Sequence, residues 1–229
     1  MALSVLWAPM TLAVHVVAAA LAASCPSNPA NSAAAQLSAA TTQLITVSAR
    51  RLRTTAATLR TWRRAGDCWL PAAGPYTARV GWNGLRVNRH EGDGTTPIGT
   101  FAIMPRMYGV APNPGVRFRY TRLRCGDWWV EDPASRAYNT FQRIGCGVRP
   151  PFKVTTPDMS KSPRAYEFLA VIGFNVDPIV PGRGSGIFLH VQVHDSTNGC
   201  ISLPRARLLR LLRWLTPSAA PEIAVSVGQ

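Results

Sequence analysis

One stretch, Gly184 to Pro204, brings a cysteine within reach of two of the four histidines; it reads GSGIFLHVQVHDSTNGCISLP. An apolar run ending in His190 and His194 is followed by a polar turn, and Cys200 stands where the chain turns back. A thiol attacks as its thiolate, so it needs a base or a cation beside it, and histidine can be either. Gly199 lets the backbone turn tightly before the cysteine. The amides of Asn198, Gly199 and Cys200 are then expected to point at an oxyanion developing on a bound carbonyl.

Competing readings of these residues exist. A free cysteine is often a small buried hydrophobe. Four residues along a strand separate His190 from His194 by roughly 13 Å, so only one of them can sit by the sulfur. The same spacing rules out a zinc site made from both histidines of one strand, and no metal site is expected. The five cysteines, Cys25, Cys68, Cys125, Cys146 and Cys200, include no C-x-x-C pair, against zinc ribbons and thioredoxin-like centres. Their odd number leaves at least one thiol unpaired in an oxidising compartment. Cys125 and Cys146 could pair there, with Cys68 left free or buried, but the sequence alone does not settle the pairing.

The elements that must position these groups read mainly as strands. Alternation marks Gln43–Ser48 and Thr54–Trp62, with further strands expected at Tyr76–Val80, Gly99–Met104, Trp128–Val130, Ala170–Ile172, Gly186–Val193 and Glu222–Val227. Turn signals separate them: Asn83-Gly84, Gly92-Asp93-Gly94, Asn113-Pro114-Gly115 and Pro181 to Gly184. One helix is clear, Pro204–Leu215, with proline in its first turn and Leu208, Leu211, Leu212 and Leu215 in a stripe. There is no internal repeat. Gly182, Gly184 and Gly186 precede a strand instead of opening a helix, which excludes a nucleotide loop.

The chain has 229 residues, a formal net charge of +14 and only two lysines, Lys153 and Lys161, so its positive charge is nearly all arginine. Such a surface is drawn to polyanions, including an anionic cell envelope; no RNP-like, zinc-finger or helix-turn-helix pattern accompanies it, and nucleic acid is not an expected partner. A compositional bias toward arginine is the alternative. Residues Ala2–Ser24 are almost entirely apolar and end in small residues before Cys25, which reads as a secretory signal. A membrane anchor and a lipidated Cys25 remain alternatives. The expected organisation is an export segment plus linker over 1–30, with a linker-like Pro26-Ser27-Asn28-Pro29, and one catalytic domain over 31–229.

Thr197-Asn198-Gly199-Cys200-Ile201, preceded by Phe188-Leu189-His190, resembles the signature of the L,D-transpeptidase catalytic domain (YkuD-type) family, with Asn198 in its second-histidine position. Two upstream blocks are similar to one branch of that family: Glu91 to Phe101, and Trp129 to Asn139. The resemblance implies a single mainly β, β-sandwich catalytic domain with the short helix near its C-terminus. It implies Cys200 as nucleophile, His190 rather than His194 as base, and the Val191 carbonyl orienting the imidazole. Asn198 and Gly199 would frame the oxyanion, while Thr197 and Ser202 would meet substrate; Tyr138 and Asn139 would either line the substrate cleft or serve packing, and Ser202 stands where many members carry asparagine. The implied activity is peptidoglycan 3→3 cross-linking outside the cytoplasmic membrane, acting on stem peptides with no cofactor and open to carbapenem-type inhibitors. The alternatives are an L,D-carboxypeptidase using water, and a non-catalytic envelope-binding domain.

Overall fold

Thirteen strands and two helices form a single β-rich unit in a computed structural model that describes residues 25–228. The apolar segment Ala2–Ser24 lies outside the described residues. In chain order the elements are α1 (Pro29–Ala33), β1 (Gln43–Ala49), β2 (Ala56–Ala65), β3 (Cys68–Arg79), β4 (Leu85–Arg86), β5 (Thr96–Pro97), β6 (Gly99–Gly109), β7 (Arg119–Arg122), β8 (Asp127–Trp129), β9 (Phe141–Arg143), β10 (Leu169–Ile172), β11 (Phe188–Val191), β12 (Ile201–Leu203), α2 (Arg205–Trp214) and β13 (Glu222–Val227). The expected mainly β class and the C-terminal helix are both present.

Nine strands make one mixed sheet in the order β10-β11-β12-β3-β2-β1-β13-β6-β7. Because β10 also pairs with β6, the sheet curls back on itself and its inner faces share one core. Alternation decides what enters that core. Ile45, Val47 and Ala49 of β1 point in, with Leu59 of β2 and Ile223 and Val225 of β13, while Leu44 and Trp62 face an outer cluster beneath α1. Leu208, Leu211, Leu212 and Leu215 of the C-terminal helix segment join the inner core, so α2 plugs the sheet beside β11 and β12.

Strand lengths depart from the sequence reading where proline and glycine punctuate the chain. β3 begins at Cys68, not Tyr76, and runs through Pro71 and Pro75. Along that half it pairs only with β2, because β12 reaches β3 only at Arg79, so the missing N–H groups break no ladder on the open side. β6 continues past Pro105 to Gly109, changing partner from β13 to β10 and β7, and Pro105 itself has no ladder partner. β11 is shorter than expected: Gly184 at φ +115° and Gly186 at φ +61° keep its approach out of the sheet.

The residues after Cys25 do not hang free as a linker. Asn28 caps α1 and donates to Trp69 O at 3.1 Å, Ala30 is fully buried, and Cys25 is disulfide-bonded to Cys68. This corrects the reading of Cys68 as free or buried; the sequence holds nothing that aligns two cysteines 43 residues apart. Cys125 and Cys146 are also joined, leaving Cys200 as the free cysteine.

Candidate active site

β11 and β12 run parallel with Leu189 beside Ile201 and His190 beside Ser202. Leu189, Val191, Ile201 and Leu203 enter the inner core. The alternate residues Phe188, His190, Cys200 and Ser202 must therefore face outward on one side of the sheet. There a second apolar layer covers them: Tyr108, Leu123, Met159, Leu169 and Phe188 cluster with Cys200, and Trp129 and Tyr166 pack against the group. The site thus lies on the sheet's outer face, roofed by the segment between β7 and β10.

Cys200 is 8 % exposed; its Sγ accepts the Phe188 N–H at 3.4 Å and donates to Gly186 O at 3.3 Å. Its own carbonyl receives Thr197 Oγ1 at 2.6 Å and Thr96 Oγ1 at 3.3 Å, so the nucleophile's backbone is held from both sides. Burial pushes the thiol up to about 12; the Phe188 N–H and Arg89 pull down, and Glu131 pushes up further. His190 Nδ1 lies 2.8 Å from Val191 O and its ring meets Tyr166 edge to face, centroids 5.7 Å apart. Burial lowers the imidazole to about 4, against the hydrogen bond that Nδ1–H donates to the Val191 carbonyl. In the resting state both groups are neutral across the physiological range.

Two cavities meet at Cys200, sharing Ser162, Tyr166, Asn198 and the cysteine itself. One, of about 400 Å³, contains His190 and is bordered by Lys161, Arg164, His194 and Ser202. The other, of about 560 Å³, is bordered by Trp82, Arg89, Glu91 and Glu131. Cations alone edge the histidine side, whereas two carboxylates and the Arg89 guanidinium face the other. Burial, reinforced by Glu91, raises the Glu131 carboxyl above its ordinary range despite a 3.2 Å bond from Thr155 Oγ1. Among the described residues no three His, Cys, Asp or Glu side chains gather as a metal site requires.

The sequence-derived site residues separate into two sets. His190, Cys200, Thr197, Asn198 and Ser202 all border the first cavity, Asn198 being exposed. His194 is exposed beyond the end of β11 and borders the same cavity from its rim. Gly199 departs from expectation, because its N–H is taken by Thr197 Oγ1 at 3.2 Å and is not free for an oxyanion. Tyr138 and Asn139 are not at the cleft surface. Tyr138 is 2 % exposed, with its hydroxyl bound to Glu91 and receiving the Gly184 N–H at 3.0 Å. Asn139 receives Trp129 Nε1 at 2.8 Å and Gly186 N at 3.0 Å, and donates to Phe174 O and Asn175 O. Every polar atom of these two side chains is engaged within the fold: the Tyr138 hydroxyl and Asn139 Oδ1 hold the Gly184–Gly186 approach to β11, and Asn139 Nδ2 holds the Phe174–Asn175 turn, so their work is structural.

Arg89, Glu131, Tyr166, Lys161 and Arg164 were not singled out from the sequence. Glu131 sits inside the Trp129–Asn139 block, which was its only signal. Arg89 is one arginine among many, and nothing local distinguishes a buried one.

Residues 46–225 match the L,D-transpeptidase catalytic domain family, YkuD. No curated protein sequence matches the chain. Among solved structures, the helical cell shape determining protein Pgp2 from Campylobacter jejuni aligns at 10 % identity with a TM-score of 0.38. The alignment covers 82 % of this chain and 48 % of that one, so the chain spans about half the length of Pgp2. With the family match extending over most of its length, the chain belongs to the L,D-transpeptidase catalytic-domain family, whose members are cysteine-dependent enzymes acting on peptidoglycan stem peptides.

Proposed function

We propose that this protein is a peptidoglycan L,D-transpeptidase forming 3→3 cross-links, with Cys200 as nucleophile and His190 as general base and acid. The observation that carries the reading is a free cysteine at the junction of two cavities, one of which holds the buried His190 imidazole with its Nδ1 bound to Val191 O. Cys200 Sγ attacks the carbonyl of the third stem residue, a diaminopimelate, while its proton passes to His190 Nε2. Collapse of the tetrahedral adduct breaks the peptide bond, and the same proton goes to the departing amine of D-Ala. A thioester remains. The side-chain amine of a second stem then attacks it, His190 takes the amine's proton, and the thiol is regenerated.

The charge of the cavities fits this sequence. The departing amine must be near His190, on the side where Lys161 and Arg164 can attract the terminal carboxylate of D-Ala. The acyl part of the donor then extends into the second cavity, where Glu91 and Glu131 favour a side chain bearing an ammonium. Two disulfides support a working place outside the cytoplasmic membrane, where thiols are oxidised. The charge of +14 supports attraction to an anionic envelope.

Mass spectrometry of products from a tetrapeptide-stem muropeptide tests the reaction class. The expected product is a dimer joined between two third residues, with release of D-Ala. A tripeptide stem as sole product would replace transfer with carboxypeptidase action, and unchanged substrate would reject both.

A further inference from the structure

The loop between β4 and β5 carries Arg89 into the protein directly behind the nucleophile. Its side chain is 1 % exposed. A guanidinium has five N–H donors, yet Nε and Nη1 have no hydrogen-bond partner, and Nη2 reaches His90 O only at 3.4 Å. Its nearest carboxylate, Asp93, has an oxygen 3.6 Å from Nε. That carboxylate is already occupied: it accepts the N–H groups of His90 and Thr95 and the Thr95 hydroxyl. The remaining support is the face of Phe174, 5.6 Å from Cζ. An arginine serving as a strap would use its donors; this one is buried with most of them idle, a costly arrangement that asks for a function.

The surrounding glycines show where that charge is directed. A Cβ on Gly199 would stand 3.3 Å from Arg89 Nη1, and one on Gly184 would stand 2.9 Å from Nε. Gly199 immediately precedes Cys200, and Gly184 begins the approach to β11. Both loops therefore press their backbones against the guanidinium at positions where a side chain would hold them off. Arg89 also borders the cavity that contains Cys200, together with Glu91 and Glu131.

We infer that Arg89 is a positioning residue whose buried charge offsets the negative charge that Cys200 and its adducts carry during turnover. At rest the thiol is neutral and the guanidinium's donors are unfilled; when the sulfur loses its proton, the cation behind Gly199 stabilises the anion. Other charged or titratable groups face the sulfur from neighbouring elements. They are His190 on β11, Tyr166 in the roof, Glu131 beyond β8 and Glu91 in the Arg89 loop; Asp93 partly screens the guanidinium. Of these, Glu131 opposes the thiolate and Arg89 favours it. The inference rests on Cys200 being the nucleophile, but not on the identity of the acyl donor.

Alkylation by iodoacetamide, a small neutral electrophile, measures thiolate formation at Cys200 without any stem peptide. The rate is followed against pH in the full-length protein and in Arg89→Met, Arg89→Gln and Arg89→Lys, with Tm recorded for each. Arg89→Met and Arg89→Gln are expected to shift the profile to higher pH and slow alkylation about tenfold or more at a fixed pH below the thiol pKa, one pKa unit being tenfold in thiolate. Arg89→Lys should recover a large part of that loss. Should Arg89→Met fail to fold, the Gln and Lys variants carry the comparison. Identical profiles for Arg89→Gln and Arg89→Lys, or a wild-type profile in a folded Gln variant, would overturn the inference. Because no stem peptide is involved, a failed transpeptidase assay leaves this result standing, and the reverse holds equally.

Discussion

His190 Nδ1 and the carbonyl oxygen of Val191 are 2.8 Å apart. A carbonyl can only accept, so Nδ1 carries the hydrogen and Nε2 is the free acceptor turned to the cavity. The edge-to-face contact with Tyr166 holds the ring in that attitude. One residue thus sets the tautomer of the residue before it, a local device that needs no third side chain.

Removing the imidazole should cost acylation about 10²-fold or more, the usual scale for a general base. His190→Ala is expected to show that loss in single-turnover acylation, with Tm close to wild type. His194→Ala should lose little, because His194 is exposed at the cavity rim beyond the end of β11. A reversed order of effects in folded proteins would move the base to His194.

Burial also couples His190 to acid stability. Its folded pKa is about 4, below the ordinary 6.5, so folding favours the neutral ring. That contribution is fully present above pH 6.5 and is lost as pH falls through 4. Cys200 has the opposite sign: raised to about 12 from 9.0, it contributes below pH 9 and is lost as pH rises toward 12. Thermal melts of wild type and His190→Gln should therefore converge as pH drops from 6.5 to 4. Parallel melting curves across that window would show that the ring is not buried neutral.

Gly199 is the position where backbone geometry and chemistry meet. At φ +123° a side chain is strained, and its Cβ would lie 2.8 Å from Thr95 O, a backbone atom that cannot swing away. Gly199→Ala is expected to lower Tm and to abolish acylation by displacing Cys200. Gly182→Ala is the comparison: φ is +76° but nothing lies within 4 Å, so the cost should be limited to about 1 kcal/mol and activity retained. Equal effects of the two substitutions would mean that the turn before Cys200 tolerates displacement.

The sequence made the nucleophile's turn and the β class legible because both are local patterns. Gly199-Cys200 announces a turn, and alternation in Gln43–Ala49 or Glu222–Val227 announces strands. What escaped it depends on distant partners. The strand expected at Tyr76–Val80 begins at Cys68 in the fold, because β3 is open on one side where it passes Pro71 and Pro75. The Cys25–Cys68 bond needs α1 docked on β3. Whether Tyr138 and Asn139 line the cleft or pack the fold turns on distant partners: Glu91 and Gly184 for Tyr138, and Trp129, Gly186, Phe174 and Asn175 for Asn139. Arg89 and Glu131 gain meaning only from their opposed fields at one sulfur.

Intact-protein mass after acid quench, during incubation with a tetrapeptide stem, tests the central claim most directly. The account predicts a species heavier by the stem less its terminal D-Ala, a tripeptidyl thioester mapped to Cys200 and absent from Cys200→Ala. Substrate turnover by Cys200→Ala, or the same adduct on that variant, would contradict it.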